Sequence, residues 1–222
     1  MGVAIRRAGA DDREDVIRLL DAALVHDPVS SWVFPDEGHR LRTHRALMGA
    51  FLDIALDEGY VDVTEDGAAV ALWWSVPVGP HDGDGDGDGD GGGDGDGANG
   101  AGVGGAAGAE DGPALLRRAV DPDNERVEVI GRLTEAIHPT DRAHEYLHLI
   151  AVHPDRQGEG LGTALVTAVL DRCDRDGLHA YLEASNARSR DLYARLGFAF
   201  MGTTLDLPDG PPMWPMWREP RS

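Results

Sequence analysis

The chain has no lysine. All 20 of its basic residues are arginine, set against 40 aspartates and glutamates, for a formal net charge of −20. That balance disfavours general binding to nucleic acid or to an anionic membrane surface, both of which need a basic face. GC-rich coding and adaptation to high salt both produce such a bias, and neither speaks to function. Cysteine is nearly absent too: Cys173 stands alone, so no internal disulfide is expected, which fits a reducing cytoplasm. No run of about 18 apolar residues occurs, so no transmembrane helix is expected. The opening "MGVAIRRAGADDRED" turns charged too soon for a signal peptide, and residue 6 is Arg where a myristoylation signal wants Ser or Thr. The histidines lack metal-ligand spacing: His39 and His44 have no third ligand in phase, so no metal is expected.

What is present suffices for one large domain or two small ones. Apolar residues make up 41% of 222 positions, enough for a real core. One segment stands apart. Residues 81–112 hold 15 of the chain's 30 glycines, 9 acids and no arginine; outside it, 31 acids face 20 arginines. Asp84, Asp86, Asp88 and Gly89 resemble the start of a calcium-binding helix–loop–helix. The twelfth position is Gly95, where a bidentate Glu is needed. The segment reads as a flexible, disordered insertion in a single domain spanning 1–222.

Elsewhere the periodicity is legible. "VAIRRA" predicts a first strand. "ADDREDVIRLLDAAL" predicts a helix with Asp11 and Glu14 as a capping-box-like start. After a loop, "HDPVSSWVFPDEGHR", a second helix carries Leu41, Met48, Phe51 and Ala55. A hairpin over 60–77 turns near Asp66-Gly67. "PALLRRAV" and "NERVEVIGRLTEAIHP" predict helices. Then come a strand at 145–152, a helix at 161–175, a strand at 178–184 and a helix at 187–196. A last hairpin turns at Asp209-Gly210. The order predicts one α+β domain, a mixed sheet with a strand–helix–strand unit near its centre.

The glycine turn between strand 145–152 and helix 161–175 carries the functional signal. A phosphate loop needs Lys-Ser/Thr after its last glycine, and the chain has no lysine. The dinucleotide fingerprint G-x-G-x-x-G is out of phase, since Gly158, Gly160 and Gly162 alternate. A third pattern fits: Gln157-Gly158-Glu159-Gly160-Leu161-Gly162, or Q/R-x-x-G-x-G. Backbone N–H groups in such a turn point at a pyrophosphate, aided by the helix dipole, so Glu159 is free to face solvent.

The stretch "LHLIAVHPDRQGEGLGTALV…LEASNARSRDLYARLGF" resembles the GNAT superfamily of acyl-CoA-dependent N-acyltransferases. "IRRAGADDREDVIRLL" resembles that family's first strand and helix, so the likeness covers nearly all of the chain outside the insertion. "DGAAVALWW", "LEASNARSRDLYARLGF" and "LPDGPPMWPMWREP" are most similar to the puromycin N-acetyltransferase-like group. Glu145 departs from it, standing where an aromatic is common. The resemblance implies the GNAT fold, an α+β, mixed and mostly antiparallel sheet of about six or seven strands with helices on both faces. It also implies acetyl-CoA as acyl donor, no metal, and transfer to a primary amine of a small molecule. It implies Gln157, Gly158, Glu159, Gly160, Leu161, Gly162 and Thr163 at the pyrophosphate. Ile150, Ala151 and Val152 would pair with the pantetheine arm, and Asn186 and Ser189 would reach the pantetheine or the thioester end. On the residues alone, Asn186 also reads as a helix N-cap.

Acetyl transfer needs a base for the amine proton and an acid for the departing thiolate. The resemblance makes Tyr193 the acid, although it also reads as a core tyrosine. Candidate bases are His148, which matches a proton-carrying histidine of the serotonin N-acetyltransferase stretch, Glu183, and more weakly His144. By strand alternation Tyr146, His148 and Ile150 share one face, and Glu145, Leu147 and Leu149 the other. Trp32, Phe34 and Trp214 are candidate acceptor-pocket residues, with Asp27, Asp36 or Glu37 to attract an amine. A non-catalytic acyl-CoA-binding module and a protein-amine acetyltransferase stay open, as does a homodimer.

Overall fold

A computed structural model of the protein describes residues 2–79 and 111–221. The insertion expected at 81–112 lies outside them, except that Asp111 and Gly112 are the N-cap and first residue of a helix. The described residues form eight strands: β1 (Ile5–Arg7), β2 (Tyr60–Thr64), β3 (Ala69–Val76), β4 (His144–Val152), β5 (His179–Ala184), β6 (Ala199–Phe200), β7 (Leu205–Asp206) and β8 (Pro212–Arg218). Their order is β1-β2-β3-β4-β5-β8-β6, with β7 also on β8. Every pairing is antiparallel except β4–β5, the strand–helix–strand unit near the centre. Its crossover is α6 (Leu161–Asp176).

Helices α1 (Arg13–Leu24), α2 (Pro28–Val33), α3 (Glu37–Glu58), α4 (Gly112–Val120) and α5 (Glu125–Ile137) pack on one face. Helices α6 and α7 (Ala187–Arg195) cover the other. β3 divides the two cores by simple alternation. Val70, Leu72, Trp74 and Val76 enter the first, while Ala69, Ala71 and Trp73 enter the second. A strand covered on both sides must be apolar throughout, which is why "AVALWWSV" has one polar residue in eight.

Three local expectations are corrected. The loop at 26–40 contains α2, because Asp27 accepts a hydrogen bond from the Val29 N–H at 2.9 Å and Pro28 occupies the first turn. The first helical segment is secured by Asp12 rather than by Asp11 and Glu14. The Asp12 carboxylate accepts the Gly9 N–H at 2.9 Å and pairs with Arg6. Leu41 is 56% exposed; Arg40 and His44 are buried beside Leu47, Met48, Leu52 and Ala55 instead.

Gly59 joins α3 to β2 where the chain passes close beneath β3. A Cβ there would lie 2.3 Å from the Trp73 carbonyl oxygen, a backbone atom that cannot move alone. Gly59→Ala is expected to cost about 1–3 kcal/mol, lowering Tm by about 2–4 °C per kcal/mol. Gly9→Ala, with open space around its Cβ, is the control. Equal melting temperatures for the two would contradict the packing.

Candidate active site

The site begins where β4 and β5 part. Their register runs from His144–His179 to Leu147–Leu182 and stops there, so residues 148–152 have no partner on their β5 side. β5 stays in the sheet by pairing with β8 through Ala184–Trp214. A bulge coincides with the parting. Leu72 pairs with Leu149 and Trp73 with Leu147, leaving His148 opposite no residue of β3. One extra residue reverses the faces beyond it. The expected sharing of a face by His148 and Ile150 is therefore corrected. Tyr146, Leu149 and Ala151 lie on the α1–α5 side, and Leu147, Ile150 and Val152 on the α6 side.

β4 leads into the glycine turn. Gly158 and Gly160 adopt φ +89° and +84°, a region costly to other residues. Gly160 is the N-cap of α6, and no side chain caps this helix. By contrast Asp27, Asp36, Asp111, Asn124 and Asn186 each cap a helix of their own. The first N–H groups of α6 are thus left open. The Glu159 carboxylate is engaged by Arg156, accepting its Nε–H at 2.7 Å, and does not cap them. Gln157 reaches back to the Val152 carbonyl at 3.4 Å. Gly162 lies over the strand, where a Cβ would meet Val152 at 3.4 Å.

On the α1–α5 side of the parting, Tyr146 links two of the sequence-predicted bases. Its hydroxyl donates to Glu183 Oε2 at 2.8 Å and stands 3.2 Å from His148 Nδ1. With the phenol proton committed to Glu183, His148 donates Nδ1–H to the phenol oxygen and keeps a lone pair on Nε2. His148 is enclosed by Phe51, Trp74 and Tyr146. Burial pushes its imidazole down to about 4. Burial pushes the Glu183 carboxyl up to about 7, against the opposing hydrogen bond from Tyr146. Glu183 Oε1 is buried without a partner among the described residues.

Residues 108–198 match the model of the acetyltransferase (GNAT) family. The mycothiol acetyltransferase of Arthrobacter sp. (strain FB24) is 37% identical over 92 residues, which is 39% of this chain and 28% of that protein. The L-methionine sulfoximine/L-methionine sulfone acetyltransferase of Pseudomonas aeruginosa is 41% identical over 58 residues, 25% of this chain and 34% of that protein. The chain therefore matches only a minor part of the length of these relatives. A solved structure described as histone acetyltransferase HPA2 and related acetyltransferase, from Corynebacterium glutamicum, superposes with a TM-score of 0.67 at 23% identity. It covers 100% of this chain and 98% of that one. The chain has the GNAT fold.

Within this GNAT fold the remaining sequence-predicted residues take different places. Tyr193 is buried against Phe198, and burial raises its phenol well above the ordinary value, so it stays protonated. Asn186 is the N-cap of α7, accepting the Ser189 N–H at 2.9 Å, while its amide donates to Asp27 at 3.3 Å. Asp27 also accepts the Ser185 hydroxyl at 2.9 Å, tying α2 to the end of β5. Trp32 and Phe34 are buried in the first core, so they do not line an open acceptor pocket. The Trp32 indole N–H donates to the Pro208 carbonyl at 2.7 Å. Trp214 is half-buried under Arg190. His144 is 2% exposed, with Nδ1 on the Arg142 carbonyl at 2.8 Å and Nε2 3.1 Å from His138. Sequence reasoning missed Tyr146 as the link; its two-residue step from His148 on one strand was the available signal. His138, at the end of α5, packs edge-on against Tyr146 and Tyr181, and nothing in the sequence pointed to it. Among the described residues no group of three metal-ligating side chains assembles, and no helix is long and apolar enough to cross a membrane.

The Glu183 shift has a thermodynamic consequence. The folded protein holds a proton up to about pH 7 that an ordinary glutamate releases near 4.5. The stability this group contributes is full below 4.5 and is lost as pH rises through about 7. Glu183→Gln is expected to flatten that decline, recovering about 3 kcal/mol at about pH 8 relative to about pH 5. Urea unfolding at both pH values measures it. Parallel pH dependences for the two proteins would contradict the buried-carboxyl reading.

Proposed function

We propose that the protein transfers an acetyl group from acetyl-CoA to a primary amine of a small molecule, by direct attack of the amine on the thioester. The observation that carries the reading is the joint one at β4. A strand edge opened by the loss of its β5 partner leads through the glycine turn into α6, a helix whose N-terminus no side chain caps. An extended, amide-bearing arm can pair with residues 150–152 as an added strand would. A pyrophosphate can take the open N–H groups of residues 158–163. The residues fit such a donor: two glycines with positive φ expose the amides, and Glu159 is held aside by Arg156.

Acetyl-CoA supplies the activated acyl carbon and a thiolate leaving group. His148 Nε2 takes the amine proton, and His148 Nδ1–H and the Tyr146 hydroxyl pass charge on to Glu183. Tyr193, kept protonated by burial, gives a proton to the departing sulfur. Asn186 serves chiefly as the cap that holds Ser189 and the start of α7 in place. The finer likeness to the puromycin N-acetyltransferase-like group belongs to this proposal, as does the small-molecule acceptor. The relatives named for mycothiol and for L-methionine sulfoximine support an acceptor of that size.

The test is thiol release from acetyl-CoA over a panel containing puromycin, L-methionine sulfoximine and arylalkylamines, followed against pH. Because Glu183 must be ionised, the rate is expected to fall as pH drops through about 7. Glu183→Gln should remove that limb and lower kcat by about 10²-fold or more. His148→Ala should lower kcat yet leave the limb in place. Amine-independent release across the panel would overturn the transferase reading, and an unaltered limb in Glu183→Gln would overturn the base assignment.

A further inference from the structure

A second constellation lies in the helical layer, away from the glycine turn. Ser30 on α2, His44 on α3 and Asp21 on α1 form a continuous hydrogen-bonded line. Ser30 Oγ is 3.0 Å from His44 Nε2, and His44 Nδ1 is 2.7 Å from Asp21 Oδ1. Asp21 accepts from Nδ1–H and so fixes the imidazole tautomer, which leaves the Nε2 lone pair on the serine hydroxyl. His44 is fully buried, whereas Ser30 is only half-buried. Burial lowers the His44 imidazole below its ordinary value, so the ring is neutral and available as a base near pH 7. Arg40, one turn earlier on α3, is buried with Nε unpartnered among the described residues, placing a positive group beside the line. Nucleophile, base and orienting carboxylate thus meet the distances that serine acyl chemistry requires.

We propose that Ser30, His44 and Asp21 form a second catalytic centre, a serine nucleophile that takes small acyl groups from activated esters and passes them to water. Ser30 Oγ bonds to the ester carbonyl carbon while its proton moves to His44 Nε2. The ester C–O bond breaks, and the leaving oxygen takes that proton. Water then attacks the acyl carbon and gives a proton to His44. The Oγ–C bond breaks, Oγ recovers the proton, and the acid departs. None of these steps uses CoA, so the centre stands or falls apart from the transferase reading.

The test is labelling of the intact protein with a fluorophosphonate probe, located by peptide mapping, beside hydrolysis of p-nitrophenyl acetate. A single adduct on Ser30 is expected in the wild type. Ser30→Ala should lose both the adduct and the ester hydrolysis, and should keep amine-dependent thiol release. Asp21→Asn, a partly exposed and near-isosteric change, should slow labelling at least about tenfold by losing the tautomer lock. The proposal is overturned if Ser30 stays unlabelled under conditions that label a known serine hydrolase, or if Asp21→Asn reacts as fast as the wild type. Lost ester activity with intact thiol release in Ser30→Ala confirms this centre alone. Ester activity that survives Ser30→Ala removes it, whatever the thiol assay shows.

Discussion

The rest of the site depends on one broken ladder. β4 and β5 pair in parallel for only four residue pairs, then separate after Leu147–Leu182. Each strand is held firmly on its outer side, β4 by β3 and β5 by β8, so the gap between them is braced rather than loose. An unpaired strand edge inside a sheet exposes backbone donors and acceptors that are costly to leave unmet. In the proposed donor complex, an extended arm with amides of its own meets them. The bulge at His148 belongs to the same constraint. It brings Tyr146, Leu149 and Ala151 to one side, and with them the imidazole and phenol that approach Glu183.

The acidity of the chain bears on the turn differently from what its charge suggests. An anion would ordinarily avoid a loop carrying Glu159 on a chain of net charge −20. The structure removes the conflict locally. Arg156 engages Glu159 and also reaches Asp66 of the β2–β3 turn at 3.3 Å, so the acid within the glycine run is paired locally. What the uncapped turn leaves available is backbone, whose N–H dipoles carry no dependence on side-chain charge. The lack of lysine is therefore no bar to the proposed polyanionic donor.

Much of the fold was legible in the sequence because it rests on local rules. Periodicity located the long helices, Asp66-Gly67 and Asp209-Gly210 located the hairpins, and the glycine phase located the turn. α2 was legible in principle, since Asp27-Pro28 is a cap followed by a first-turn proline, but six residues are too few to show periodicity. The bulge was not legible. "YLHLIAV" is largely apolar on both faces, so a slip of one residue leaves no polar signature. The long-range pairs were invisible for a different reason: Asp27–Ser185 and Tyr146–Glu183 join residues 158 and 37 positions apart, and nothing local encodes them. Trp32 and Phe34 look like pocket aromatics in a loop, yet a short helix and its C-cap bury both.

The central claim is that open backbone amides of the turn and of the freed β4 edge receive the donor together. Backbone amide NMR shifts during titration with CoA test it most directly. Concerted, saturating shifts are predicted at residues 150–152 and 158–163, with the capped N-terminus of α5 unmoved. Saturable binding that leaves those amides unperturbed while moving others would contradict it.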